Sequence, residues 1–156
     1  IIVEDLGYNT DEVIQMVEES GFPNMKVLQF AFNPYEESEH APHRFHKNCV
    51  VYTSTHDNQT IMGWFEALPR DIFEYAVRYL KLNYDEGFNW GLIRAAWSST
   101  ANLAIAPIQD FLGLNDDARM NIPSTLGDNW NWRVKKEQLS DVLANRIKEL
   151  TKTYWR

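Results

Sequence analysis

The sequence predicts an α/β fold in which parallel strands alternate with helices, and about four strand-helix units fit its 156 residues. Three observations carry that reading. Short runs rich in apolar, β-branched or aromatic residues recur at Ile1-Ile2-Val3, Met25 to Phe32, Asn48 to Tyr52 and Leu103 to Ile108. Around most of them lie segments with apolar residues three and four apart, the spacing of a helix with one buried face. Two of the runs also end in a carboxylate, Glu4 after Ile1-Ile2-Val3 and Asp57 soon after Cys49-Val50-Val51-Tyr52. Buried parallel strands read as continuous apolar runs, and α/β enzymes place their chemistry at the rim of the sheet. Four such units are half of an eight-fold barrel.

Each element has its own signal. Thr10 is placed to cap a first helix whose opening turn holds Asp11 and Glu12, whose stripe is Val13, Met16 and Val17, and which Gly21 and Pro23 stop. Met25 to Phe32 is short enough for a second buried strand, and a polar loop follows from Asn33 to about Lys47. Asn48 to Tyr52 begins the third strand. Ile72, Phe73, Ala76, Val77 and Leu80 give Asp71 to Leu82 helical spacing, and another helix is expected from about Trp90 to Ser98. Leu103 to Ile108 reads as a fourth strand ending at Gln109 and Asp110, with Pro107 limiting how much of it can sit in a central ladder. After a loop containing Pro123, Gly127 and two tryptophans, Ser140 caps a last helix carrying Leu143, Ile147, Leu150 and Tyr154. There is no fixed-period repeat, low-complexity tract or flexible linker, so residues 1–156 read as one unit without an internal boundary.

Composition narrows the function classes. A hydrophobic share of 44% can fill a real core, while a net charge of -7 argues against nucleic acid or an anionic membrane as partner. A neutral polyhydroxylated ligand meets no such objection. The single cysteine, Cys49, lies in a strand-like run and reads as a small buried hydrophobe, which fits a reducing, cytoplasmic setting. No membrane span or targeting segment is visible, and a chain that opens at Ile1 inside a strand reads as a fragment of a longer protein. No cofactor is expected.

Glycoside chemistry needs one carboxylic acid to protonate the leaving oxygen and a second carboxylate to attack or to activate water. Glu4 and Asp57 suit such offices. Each also has a plainer reading, Glu4 pairing with a lysine and Asp57 capping the helix after it. His40, His43 and His46 stand three apart and suggest a metal site on spacing alone, but the segment is acidic, irregular and without a nearby cysteine, so a solvated loop is the better reading. Trp130 and Trp132 are placed to stack on sugar faces or to pack, with packing favoured. Tyr35, Tyr52 and Trp64 read as core or loop packing.

Several blocks then align in order. Val3-Glu4-Asp5-Leu6-Gly7, Gly21-Phe22-Pro23 with Met25 to Phe32, Pro42-His43, and Val51-Tyr52-Thr53-Ser54-Thr55-His56-Asp57-Asn58 closely resemble 4-alpha-glucanotransferases of the amylomaltase, or disproportionating enzyme, family within the alpha-amylase superfamily. Met120-Asn121-Ile122-Pro123-Ser124-Thr125 and Asn129-Trp130-Asn131-Trp132-Arg133 continue the match, which spans nearly the whole chain. The resemblance implies the C-terminal half of a (β/α)8 TIM barrel that moves segments of α-1,4-glucan between malto-oligosaccharides by a retaining double displacement. On the matching positions, Glu4 is the general acid/base, Asp57 stabilises the transition state and His56 touches the sugar. Asn58 and Asn121 join as substrate-binding residues; Asn121, in a loop that the resemblance places after the eighth strand, reads equally as a turn asparagine. Gln59 and Ser124 depart from the family's usual acid and glycine without touching a catalytic position.

The family's nucleophile is an aspartate of an Arg-x-Asp motif on the fourth barrel strand, upstream of Glu4. Only three residues precede Glu4. A retaining mechanism needs its two carboxyls about 5–5.5 Å apart across the bond being broken, so the isolated chain is expected to be inactive. The strands of Glu4 and Leu103 are expected to offer unpaired edges, so that the chain aggregates, dimerises or depends on the missing N-terminal half of the barrel. Two readings compete with the transferase: a non-catalytic α-glucan-binding module on the same loops, and an amylase-type hydrolase in which water takes the acceptor's place.

Overall fold

A computed structural model describes residues 1–7 and 10–156. At its centre is a parallel sheet of three strands in chain order, β1 (Asn24–Val27), β2 (Cys49–Tyr52) and β3 (Leu103–Ile105). Met25 lies opposite Val50, and Val50 opposite Leu103. On the far side of β1 an isolated parallel bridge joins Val3 to Asn24, and the Val3 N–H donates to the Pro23 carbonyl at 2.9 Å. The expected order and parallel sense therefore hold, from the Val3 segment through β1 and β2 to β3.

The extents differ from the sequence reading. The first predicted strand contracts to the Val3 bridge, with Ile1 and Ile2 exposed beyond it. The second stops at Val27 instead of Phe32, because the chain tightens into a 3-10 turn at Leu28–Phe30 that buries Leu28 and Gln29 at the rim. The fourth ends at Ile105: Pro107 has no N–H for a ladder and instead stands at the entrance of a short helix. Between β1 and β2 there is no α-helix, only the turn after β1 and a 3-10 turn at Pro42–Arg44. The polar loop expected from Asn33 to about Lys47 is thus observed, and the strand-helix alternation lapses at that crossover, where Pro34 and Pro42 interrupt any helical run.

The helices are α1 (Asp11–Ser20), α2 (Ile61–Ala67), α3 (Arg70–Leu80), α4 (Phe88–Ser98), α5 (Ile108–Leu112) and α6 (Asp141–Thr153). Helix α1 ends where Gly21 takes the left-handed conformation, φ 67°, and returns its N–H to Glu18. The Ser140 hydroxyl accepts from the Leu143 N–H, so the predicted cap of α6 is in place. Helices α2 and α5 escaped the sequence reading. Ile61, Gly63, Trp64 and Phe65 are all buried in the seven residues of α2, so no polar face marks its period.

Alternation along β2 assigns its two faces. Cys49 and Val51 join the core formed with α2, α3 and α4, where Leu28, Phe32, Ile61, Leu92 and Ile93 are also buried. Burying each such aliphatic side chain contributes about 1.5–3 kcal/mol, and this layer holds the sheet flat against its helices. Met25, Tyr52 and Ile105 instead line a cleft on the opposite face. No helix among the described residues is long and apolar enough to cross a membrane.

Candidate active site

That cleft, about 620 Å³ in volume, gathers residues from all four parallel segments: Glu4 beside Val3, Met25 on β1, Tyr52 and the loop after it, and Ile105 on β3. The predicted pair of acids, Glu4 and Asp57, lines it together with His56 and Asn58. Residues separated by more than fifty positions in the chain thus meet at the carboxyl ends of parallel strands, where α/β folds bind ligands.

Glu4 is aimed by its neighbour. The Asp5 carboxylate accepts from the Asn24 side-chain amide at 2.8 Å and from the Met25 N–H at 3.0 Å, which fastens the Glu4 segment to β1. Alternation along an extended chain then turns Glu4 away from Asp5 and into the cleft. Its charge reaches Tyr52: burial first, and the Glu4 carboxylate second, raise the phenol above its ordinary value. Tyr52, read from the sequence as packing, is a wall of the cleft. Its phenol stays protonated and able to donate.

The loop after β2 is shaped by its own side chains. Asn58 Oδ1 accepts from the Thr55 N–H at 2.9 Å and from the Thr55 hydroxyl at 2.7 Å, closing the turn that carries His56 and Asp57. The Asn58 carbonyl oxygen is therefore committed to the loop, and only its amide nitrogen is left for a ligand.

A second loop holds Asp57 from the other side. Asn121 donates its side-chain N–H to Asp57 Oδ1 at 2.7 Å, and its backbone N–H donates to the His56 carbonyl at 3.1 Å. Arg119 donates to the Asp57 carbonyl at 2.7 Å and to the Asn121 carbonyl at 2.9 Å. His56 Nε2 lies 3.3 Å from Asp57 Oδ1, and the His56 ring rests against Trp130 with centroids 5.1 Å apart. Arg119 went unmarked in the sequence, since a lone arginine carries no motif. Trp130 does touch a site residue, and its backbone is left-handed at φ 65°, a conformation costly for a bulky side chain and often found at functional sites.

The loop is also braced from behind. Asp116 accepts from Gln59 at 2.7 Å and from the Thr60 N–H at 3.0 Å, and the Thr60 hydroxyl caps α2 through the Gly63 N–H. A Cβ at Gly63 would sit 2.2 Å from the Asp116 carboxylate, which would have to give way.

Two of the three spaced histidines take separate partners. His40 Nδ1 accepts from the Val27 N–H at 3.1 Å, and burial lowers its pKa, so the ring is neutral and carries its proton on Nε2. His43 Nδ1 pairs with the Tyr79 hydroxyl at 2.7 Å. Among the described residues no cluster of three or more His, Cys, Asp or Glu is arranged to hold a metal. Trp64 is core, at 7% exposure, and Tyr35 is exposed with its hydroxyl on Asp71.

Comparison with known proteins places the chain. A family model described as 4-alpha-glucanotransferase matches residues 1–140. The 4-alpha-glucanotransferase of Clostridium butyricum is 50% identical over 157 residues, covering 100% of this chain and 32% of that protein. The chloroplastic/amyloplastic enzyme of Solanum tuberosum is 45% identical over 159 residues, covering 100% and 28%. The chain thus spans about a third of the length of the curated relatives it matches. Among solved structures, the amylomaltase from Streptococcus agalactiae in complex with acarbose superposes with a TM-score of 0.96 at 35% identity, covering 99% of this chain and 32% of that one. The amylomaltase from Corynebacterium glutamicum, at 18% identity and a TM-score of 0.64 over 96% of this chain and 27% of that one, shares the fold. With a family model covering residues 1–140 and these identities across its whole length, the chain belongs to the 4-alpha-glucanotransferase family.

Proposed function

We propose that these residues supply the acid/base and the transition-state stabiliser of a 4-alpha-glucanotransferase, as the C-terminal half of a (β/α)8 barrel that a preceding segment completes. The observation that carries this reading is the convergence of Glu4, His56 and Asp57 on one cleft. The acarbose bound by the Streptococcus agalactiae relative fits a cleft for α-linked sugars.

In the proposed reaction Glu4 protonates the glycosidic oxygen as the bond to the departing glucan breaks. A carboxylate from the preceding segment attacks the anomeric carbon and forms the glycosyl intermediate. Glu4, now ionised, takes the proton from an incoming sugar hydroxyl, which displaces that carboxylate and gives the transferred glucan with retained configuration. Asp57, oriented by Asn121, sets its negative charge against the oxocarbenium character of both transition states. His56 and the Asn58 amide nitrogen contact the sugar.

The test is incubation with maltotriose of the 156-residue chain alone, of the chain mixed with the upstream half of such an enzyme, and of the full-length protein. Glucose with longer oligomers from the mixture or full-length protein, abolished by Glu4→Gln, supports the reading. Longer oligomers from the isolated chain sink the assignment of the nucleophile to a preceding segment. Shortened products without longer ones point to a hydrolase, and binding without products to a glucan-binding module.

A further inference from the structure

The loop that carries His56, Asp57 and Asn58 leaves β2 and enters α2 against one buried side chain. Asp110, in α5, is 1% exposed. Its Oδ2 accepts from the Thr53 hydroxyl at 2.6 Å and the Ser54 hydroxyl at 2.7 Å, the two residues directly after β2. Its Oδ1 accepts from the N–H of Ile61, the first residue of α2, at 2.9 Å. The two oxygens of one carboxylate thus set the spacing between the start and the end of the active-site loop.

Asp110 is itself firmly placed. Its carbonyl accepts from the Asn89 side chain of α4 at 2.8 Å, and the neighbouring Gln109 donates to the Ala118 carbonyl at 3.1 Å. Thr53 and Ser54 are as buried as Asp110, so none of these three groups can turn to bulk water for a partner. Burial pushes the Asp110 carboxyl above the usual carboxylate range, against the opposing pull of its hydrogen bonds from Thr53, Ile61 and Ser54. Between Asp110 and the loop is a small cavity of about 110 Å³, lined also by His56, Asn58 and Arg119. It is room into which the loop can relax once the clamp opens.

We propose that Asp110 is a positioning residue of this active site, a buried clamp that fixes the β2-to-α2 loop and through it the placement of His56 and Asp57. The proposal rests on the transferase reading for its kinetic consequence and on geometry alone for its structural one. Asp110 lies outside the residues that line the sugar cleft and acts through the loop.

The experiment uses the full-length protein with Asp110→Asn, Ser54→Ala, Thr53→Val and Thr53→Ser, and with Leu80→Ala in α3 as a core control. Misplacing reacting groups by about 1 Å costs on the order of 100-fold in rate, so Asp110→Asn lowers kcat for maltotriose on that scale. KM moves by less than about 3-fold, because ground-state contacts in the cleft are kept. Thr53→Val loses activity in the same sense, and Thr53→Ser, which keeps the hydroxyl, restores it. Leu80→Ala lowers the unfolding midpoint without this kcat loss. In parallel, hydrogen exchange quickens at amides 55–60 in Asp110→Asn and stays unchanged across α4. Should Asp110→Asn fail to fold, Thr53→Val and Ser54→Ala carry the same measurements. Unchanged kcat in the folded clamp variants, equal losses in Thr53→Ser and Thr53→Val, or unchanged exchange at 55–60 would overturn the clamp. If the wild-type protein transfers no glucan, the transferase reading falls, and exchange by itself decides the clamp.

Discussion

Asn121 donates to Asp57 Oδ1 at 2.7 Å across 64 positions of sequence. The bond gives a residue expected to touch sugar a second part, orienting the Asp57 carboxylate. A hydrogen bond to a charged group contributes about 1.5–3 kcal/mol, so Asn121→Ala is expected to lower kcat/KM for maltotriose roughly 10- to 150-fold. Asn121→Asp is expected to be worse, because it sets a second negative charge beside Asp57. Steady-state assays of glucose release in the full-length protein check both.

Gly63 and Asp116 give a test in which the sign changes with background. A Cβ at residue 63 displaces the Asp116 carboxylate and strands the Thr60 N–H, at a cost of about 1–3 kcal/mol. Gly63→Ala is therefore expected to destabilise the protein. With Asp116→Ala already present the clash is gone, and alanine's advantage of about 1 kcal/mol inside a helix makes the same substitution neutral or stabilising. Urea unfolding of the two single variants and the double variant measures the difference.

Trp130 supports the His56 ring at 5.1 Å. Aromatic pairs of this kind contribute about 0.5–1.5 kcal/mol, so Trp130→Ala is expected to weaken maltotriose or acarbose binding roughly 2- to 10-fold, and Trp130→Phe to keep most of it. Calorimetric titration reads this directly. Equal affinities for all three proteins would make Trp130 a packing residue after all.

Asp110 predicts a pH dependence. Its carboxyl is raised in the folded protein, so the folded state binds the proton more tightly than the unfolded one. The contribution of Asp110 to stability is thus fully present below the ordinary carboxylate pKa of 3.8 and is lost as pH rises through the raised folded value. Measured against Asp110→Asn, wild-type stability is expected to be relatively higher at acid pH and to fall toward neutrality. A flat difference across that window would mean that burial does not dominate at Asp110.

Much was legible because the signals are local. Continuous apolar runs announced parallel strands, Ser140 announced α6, and the motifs around Glu4 and His56-Asp57-Asn58 marked residues that do line one cleft. Strand ends were overextended at Phe32 and Ile108, since hydrophobicity continues past the point where ladder hydrogen bonds stop. Helix α2, buried all round, offered no period to read.

The sequence alone determined the family resemblance, the α/β class and which acids deserved scrutiny, because these depend on residue type and short-range order. Only the tertiary structure decided what each polar group spends its hydrogen bonds on. Asn58 and Asn121 shape and hold the Asp57 loop, Tyr52 faces the cleft, and Asp110 fastens the loop from within the core. Such pairings join residues up to 64 positions apart, and nothing local in a chain encodes which distant donor a buried acceptor will meet.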